Sequence, residues 1–450
     1  MDAIASYFKF AERKTDLLTE ARAGLTTFMV MVYIVFVNSA ILSAGFGLDA
    51  AGATAISAAT ALIAGIMTIA MGVVGNYPFA LAAGLGINAV VAFGLTARGL
   101  SPEGAMGVIV LEGVAVTILV LVGLREAVMD AVPLSLKRAI GAGIGLFILF
   151  IGFNNGGMIA STGLTPVEGP PLAPLLPTTA GQFVFLFGLL LTAILWALRI
   201  KAALIISILA TTLVALVAEV ASVPSTLSLA PSFTTIGAFD LTNVFNVLPL
   251  LTAILVIFSI MLVDFFDTMG TVTGVASEAG LAREDGTVPN VGRVLLVDGV
   301  AAAVGGAAGV SSNTTYIESA AGVAEGGRTG FTSVVTGVLF LLAIFLAPLA
   351  GIIPSQATAP ALVLVGFLMF TQVRDINVAD FEDGFPALLA IILMPITFEI
   401  SPAIGAGFIT WVVIKVARGK LSEIHPLMWV VSVAFLVFFL QSWVEPYLPK

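Results

Sequence analysis

Among the acidic side chains within candidate membrane segments, Asp264, Asp267 and Glu318 stand out. An ionisable group at membrane depth is costly, about 2.5–3.5 kcal/mol on insertion scales, and by default marks function. Asp264 and Asp267 are spaced i,i+3, so they share one face of a helix. Two carboxyls that close, partly desolvated, hinder each other's ionisation, so at least one should hold a proton readily. The competing reading of Asp267 is a brace for a helix interruption at Met269-Gly270-Thr271. Glu318 has no basic residue near it in sequence; a half-helix N-terminus, a donor on a ligand or a proton must stabilise it. Asn88 offers both a donor and an acceptor, either to a ligand or as a backbone brace. Phe79 and Tyr316 could stack on a planar ligand or simply pack. Glu112, in mid-segment, is unexplained, and Asp298 is read as structural. Carboxylates, an amide and aromatic faces with no Lys or Arg at mid-depth disfavour an anion. They suit a flat, largely neutral molecule whose N–H edge can give a carboxylate two parallel hydrogen bonds. Nucleobases fit that description.

These residues cluster at two interruptions. Ser311–Tyr316 is rich in hydroxyl and β-branched residues and reads as a short extended piece. Glu318–Ala324 reads as a short helix ended by Gly326-Gly327. Non-helical backbone at membrane depth is tolerated only where protein covers it or a cavity adjoins it. A half-helix starting there directs free N–H groups and a positive dipole end at whatever fills the cavity. The second interruption runs Tyr77-Pro78-Phe79-Ala80-Leu81-Ala82-Ala83-Gly84-Leu85-Gly86-Ile87-Asn88. Pro78 ends any helix before it, and Gly84 and Gly86 weaken one after it.

The setting is a membrane. Hydrophobic residues make up 59% of the 450 and charged residues 10%, where a soluble domain carries about 25% charged. Cysteine is absent, which removes disulfides and thiol catalysis. Phosphate-binding loops, metal-ligand clusters and nucleophile elbows are missing too, and no cofactor is expected. The one histidine, His425, reads as a surface residue. The charged, amphipathic N-terminus is not a cleavable signal. With about 20 apolar residues per helical crossing, fourteen candidate segments follow: 24–45, 53–74, 79–95, 103–123, 139–157, 182–198, 202–221, 247–272, 291–309, 313–325, 331–352, 357–372, 385–399 and 402–417. Segments three, ten, twelve and thirteen are short. A further apolar stretch, 427–446, is either a fifteenth span or a helix in the interface, with Trp429, Trp443 and Tyr447 suited to the latter.

Positive charge tests that count. With the N-terminus inside, every basic residue of the 18 falls on an inside loop except Arg98, which is outside, and Lys450, which is undecided. A wrong count would scramble the alternation. The long outside loops, 158–181 (Pro-rich) and 222–246, contain no Lys or Arg. The inside loop 273–290 carries Arg283, Glu284 and Asp285, and Glu325 and Arg328 read as an interfacial pair. Residues 1–221 hold seven segments and 247–420 seven more, joined by 222–246 and followed by 421–450. Seven is odd, so the second half enters from the opposite side: an inverted repeat, with its interrupted segments three and ten in matching places. Short, broken segments at corresponding positions are the sequence pointer to a transporter's mid-depth binding site.

Three stretches carry a family resemblance: Phe28–Leu42, Val263–Gly270 and Tyr316–Gly330, the last reading Tyr-Ile-Glu-Ser-Ala-Ala-Gly-Val-Ala-Glu-Gly-Gly-Arg-Thr-Gly. They resemble the nucleobase:cation symporter-2 (xanthine/uracil permease) family, closest to its azaguanine-transporter-like branch of hypoxanthine, guanine and adenine permeases. The resemblance runs from about residue 7 to the last span. It implies an all-α polytopic protein with fourteen segments in a 7+7 inverted repeat. Segments one to four and eight to eleven would form a core, five to seven and twelve to fourteen a gate. It also implies proton-coupled import of a purine base across the cytoplasmic membrane by alternating access, often by a homodimer. By position, Asp264 and Glu318 match the family's substrate-binding acids and Asp267 an acid important in this branch. Asn88 matches the segment-three site residue, and Phe79, Tyr316 and Ile317 match positions lining the base. Thr268 stands where uracil-transporting relatives carry a proton-linked histidine, which leaves proton coupling to Asp264, Asp267 and Glu318. A uracil or xanthine carrier, or an anion carrier of the same fold, is the alternative; an ion channel or an intramembrane enzyme fits less well.

Overall fold

A computed structural model describes residues 2–123, 131–159, 177–223, 230–283, 287–397 and 399–444, with side chains to residue 440. Most of the 158–181 loop, part of 222–246, Arg125, Glu284, Asp285, Trp443, Tyr447 and Lys450 lie outside that description. The described chain is helical apart from two three-residue strands, β1 (Leu81–Ala83) and β2 (Asn313–Thr315).

Among the described residues nine helices are long and apolar enough to cross a membrane unaided. They are segments one (Leu17–Phe46), two (Ala50–Gly75), four (Pro102–Leu121), five (Leu134–Asn155), six (Ala180–Ala197), eight (Leu250–Glu278), eleven (Gly330–Gly351), twelve (Ser355–Asp375) and fourteen (Ile400–Ala417). Segment seven (Ala203–Val217), nine (Val291–Ala307) and thirteen (Phe381–Thr397) are slightly shorter. Segments three and ten each join a strand to a half-helix: β1 to Leu85–Ala89, and β2 to Ser319–Ala324. Segment twelve is longer than its apolar run, because a 3-10 turn continues it to Asp375 through polar residues.

Local chemistry sets the ends. Asp16 accepts from the Leu18 and Thr19 amides and starts segment one; the hydrogen bonds of Thr19 hold its carboxyl below the ordinary carboxylate range. Ser101 followed by Pro102 starts segment four, and Thr179 with Gln182 forms a reciprocal cap for segment six. Segment eleven is started by Thr329 and by a buried acid from segment one: Glu20 accepts from the amides of Arg328, Thr329 and Thr332 and from both threonine hydroxyls. That carboxylate takes up the donors a helix N-terminus leaves free.

Small residues let backbones touch. A Cβ on Gly337 would sit 2.6 Å from the Gly65 carbonyl oxygen, and Gly72 meets Gly330, joining segments two and eleven. Gly113, Gly299 and Gly306 do the same between segments four and nine, and Gly145 and Gly366 between five and twelve. With little hydrophobic drive between helices in lipid, such close packing is what holds them together. The pairing also carries the repeat. Exchanging each segment for its counterpart seven positions away turns the two–eleven contact into nine–four and returns five–twelve to itself.

Segments one to four pack with eight to eleven, and five to seven pack mainly with twelve to fourteen. The helix Pro426–Val444 lies along segment fourteen, with Phe435 buried against Gly405 and Phe408. Two sequence expectations are corrected. Segment eight is one continuous helix through Met269-Gly270-Thr271, so Asp267 braces no interruption. Glu325 and Arg328 do not pair. Glu325 binds Arg22 and Lys201, and the hydrogen bond and charge of Lys201 hold its carboxyl below the ordinary range. Arg328 instead caps the half-helix by donating to the Val323 and Gly327 carbonyls, where free carbonyls need donors.

Candidate functional site

The two interrupted segments meet. β1 and β2 run antiparallel, with Leu81 opposite Thr315, Ala82 opposite Thr314 and Ala83 opposite Asn313. The ladder is extended at its ends by Gly84 N–H to Ser312 O (2.8 Å) and Tyr316 N–H to Ala80 O (2.9 Å). A two-stranded ribbon leaves each outer edge bare, and bare backbone is costly in a membrane interior. Side chains from the flanking segments cover both edges. Thr68 of segment two donates to the Leu81 carbonyl and accepts from the Leu81 amide. Asp298 of segment nine accepts from the Thr315 amide at 2.9 Å and the Thr315 hydroxyl at 2.8 Å. Segments two and nine are counterparts in the repeat, and Leu81 and Thr315 are register partners. The same structural need is met twice, once by a hydroxyl and once by a carboxylate.

A cavity of about 610 Å³ adjoins this crossing. Asp267, Thr271, Ile317 and Glu318 line it, and they also line a smaller space of about 70 Å³ that reaches Tyr33, Gly84, Gly86 and Tyr316. Glu318 immediately precedes the half-helix Ser319–Ala324. Its Oε1 accepts from the Tyr33 hydroxyl at 2.8 Å. Tyr33 sits at the break of segment one, between helices Leu17–Met31 and Ile34–Phe46. The Tyr316 hydroxyl donates to the Ala83 carbonyl, which ties the end of β2 to the end of β1. Lys137, Trp196 and Gln372 also line the large cavity. They belong to the ends of segments five, six and twelve where Arg138, Arg199 and Arg374 stand, so the cavity extends toward the basic end of the molecule.

The structure therefore brings Asp267, Glu318, Tyr316 and Ile317 to one space and places four other sequence candidates elsewhere. Asp264, one turn before Asp267, is fully buried and faces Glu112 of segment four rather than the cavity. Thr268 donates to Asp298 and shares a hydrogen bond with Thr314, inside the support of β2. Asn88 donates to Asn38 Oδ1 at 2.7 Å, and Asn38 in turn binds Thr60 and the Val310 carbonyl; this is a brace between segments. Phe79 lies outside the cavity: its ring stacks on Tyr77 at 5.0 Å in a separate apolar cluster with Met67 and Met71. The break at Pro78 directs it into that cluster, where a large ring is best buried. Asp298 is structural in the sense the sequence suggested, accepting three hydrogen bonds.

Sequence reasoning missed Tyr33, Lys137, Phe266 and Gln372. Tyr33 carried a usable signal: a tyrosine at the middle of an apolar span must find a partner for its hydroxyl. Lys137 gave none, because it sits among loop charges in the sequence. It is in the first turn of segment five, with its ammonium 5.6 Å from the centre of the Phe266 ring.

Comparison with known proteins agrees with this architecture. Residues 19–405 match a family model described as a permease family. The chain is 38% identical to the guanine/hypoxanthine permease PbuG of Bacillus subtilis, over 97% of this chain and 99% of the relative. It is 40% identical to the adenine permease AdeP of Escherichia coli, over 96% and 94%. Among solved structures, the transmembrane domain of the cyanobacterial bicarbonate transporter BicA superposes with a TM-score of 0.61 at 14% identity, covering 87% of this chain and 97% of that one; the likeness is one of fold. Matched over most of its length and closely similar end to end to named members, the chain belongs to the xanthine/uracil permease family of nucleobase:cation symporters.

Proposed function

We propose that the protein imports a purine base together with protons across the cytoplasmic membrane, with its N-terminus inside and no enzymatic step. The observation that carries this reading is the shared cavity of Glu318 and Asp267, with Tyr33 steadying Glu318. A cavity of about 610 Å³ is within the range of small-molecule sites, roughly 300–1,000 Å³, and exceeds what one purine needs. A purine edge with two N–H donors can bind one carboxylate through parallel hydrogen bonds. Ile317, Val263 and Phe266 supply apolar surface for the ring faces. Relatives named as guanine/hypoxanthine and adenine permeases point to the same ligand class.

In this reading the segment group one to four and eight to eleven is a core that moves against a gate of five to seven and twelve to fourteen. Protons travel on the carboxyl groups, so that binding a proton and binding a base favour the same state. A second copy of the chain is a further partner, with the gate as the fixed surface. Acids lining the cavity speak against an anion as substrate, despite the bicarbonate transporter that shares the fold. The test is uptake of labelled hypoxanthine into proteoliposomes with and without an inward proton gradient, in competition with guanine, adenine, xanthine and uracil. Accumulation that an uncoupler abolishes and purines block supports the reading. Folded protein that accumulates no base would sink it.

A further inference from the structure

Glu112 plays no part in the cavity, yet it is wholly buried in the middle of segment four. Its carboxyl faces that of Asp264 within hydrogen-bond reach. Neither oxygen of Glu112 and neither oxygen of Asp264 accepts a hydrogen bond from any donor among the described residues. The remaining titratable groups facing the pair are Asp298 of segment nine and Asp267 of segment eight. Among the described residues no Lys, Arg or His acts on either acid. Asp298 is different in kind, because Thr268 and Thr315 give it three hydrogen bonds.

Two carboxyls within bonding reach, with no donor from the protein, have one simple arrangement. One is protonated, and its O–H donates to the other. As a brace alone the pair is a poor design, since buried charged or polar pairs are often no better than apolar packing of the same volume. Its position suggests why it is kept. Asp264 lies one turn from the cavity acid Asp267 in a continuous helix. Asp298 ties that helix, through Thr268, to the strand that leads into Glu318. The pair is thus joined to the cavity acid Asp267 by one helix, and that helix to the strand before Glu318 by Thr268 and Asp298.

We propose that Glu112 and Asp264 form a proton-binding site behind the substrate cavity, and that the proton co-transported with the base is held there. The inference rests on the proton-coupled reading above. One proton binds to the pair from water on one side and leaves to water on the other; no covalent bond changes.

The experiment uses full-length protein, wild type and Glu112→Gln, with hypoxanthine as the probe. Infrared spectra in mildly acidic and mildly alkaline buffer read the protonated-carboxyl band directly. Asp267 and Glu318 also contribute to that band, so the readout is the difference between wild type and variant: a pH-responsive component should appear in the wild type that E112Q lacks. In proteoliposomes, gradient-driven accumulation should fall by about tenfold or more in E112Q, whereas exchange of labelled for unlabelled hypoxanthine should fall by less than about threefold. An unchanged band with full accumulation in E112Q overturns the proposal. If E112Q does not fold, the wild-type infrared titration and Asp264→Asn decide it: the absence of a pH-responsive component that D264N removes from the wild-type band overturns it as well. Wild-type protein that moves no purine would overturn the functional reading instead, and the infrared result would still stand for or against the proton site.

Discussion

Replacing Glu318 by Gln changes one atom and one charge in a group whose orientation the structure already fixes. The Tyr33 hydroxyl donates to Oε1 at 2.8 Å, and the amide oxygen of a glutamine can accept the same bond, so the side chain should keep its place. What changes is the face turned to the cavity. A carboxylate offers acceptor lone pairs to two N–H groups of a base; the glutamine turns its own NH₂ toward them. The bond to the second oxygen, about 1.5 kcal/mol, is lost, and the donor it leaves unpaired against the NH₂ costs about 1.5 kcal/mol more. The sum of about 3 kcal/mol corresponds to roughly a hundredfold weaker binding. Tyr33→Phe removes only the steadying donor, about 1 kcal/mol, or roughly fivefold. Equilibrium binding of labelled hypoxanthine and guanine to purified protein, with monodispersity as the check on folding, measures both. Folded E318Q that binds within about threefold of wild type, or a Y33F variant weaker than E318Q, would refute the assignment of Glu318 as the acceptor of the base.

Three further outcomes follow from the support around the site. Asp298→Asn leaves one acceptor oxygen where three hydrogen bonds converge; losing one or two should cost about 2–3 kcal/mol, lower the melting temperature in detergent and depress uptake, whereas a normal melt would mean the strand edge does not need it. Gly337→Leu forces a side chain against the Gly65 carbonyl, where even a bare Cβ would lie only 2.6 Å from the oxygen; overpacking of about 1–3 kcal/mol should appear as a lower melting temperature, and an unchanged melt would show that segments two and eleven can separate freely. Glu325 is held below its ordinary range by Lys201, so the link to Arg22 and Lys201 is present above the carboxyl's unfolded value and is lost as pH falls through the folded one. Hydrogen-exchange protection over residues 319–328, corrected for the intrinsic pH dependence of exchange, should therefore fall on acidification, and Lys201→Gln should remove that response; identical pH dependence in K201Q would deny the link.

Much of this architecture was legible because the sequence states its breaks. Pro78 ends a helix, Gly84 and the hydroxyl run from Ser311 weaken one, and the structure interrupts segments three and ten there. Charge alternation was legible for a similar reason: each basic residue reports locally on which end of a span it borders. What could not be read was anything decided across the fold. The i,i+3 spacing of Asp264 and Asp267 is real, yet the two acids diverge because a helix face is wide enough to present one to the cavity and the other to Glu112. Phe79 and Asn88 are placed by neighbours from other segments, Tyr77 in one case and Asn38 in the other. The pairing of Leu81 with Thr315 needed the whole first half of the chain to be in place.

That last dependence has a consequence for how the protein is made. Tyr316 and Ala83, joined by the tyrosine hydroxyl, are 233 residues apart. At about 5–20 residues per second, β1 waits roughly 10–50 s after synthesis before its partner strand exists. Through that interval its inward edge has no backbone partner, in a setting where unpaired backbone is poorly tolerated. Neither repeat can complete its own centre, so a chain stopped after segment seven holds β1 without its partner strand. Only two halves meeting in opposite orientations close the ribbon, which makes its assembly the step that commits a nascent chain to being a functional molecule.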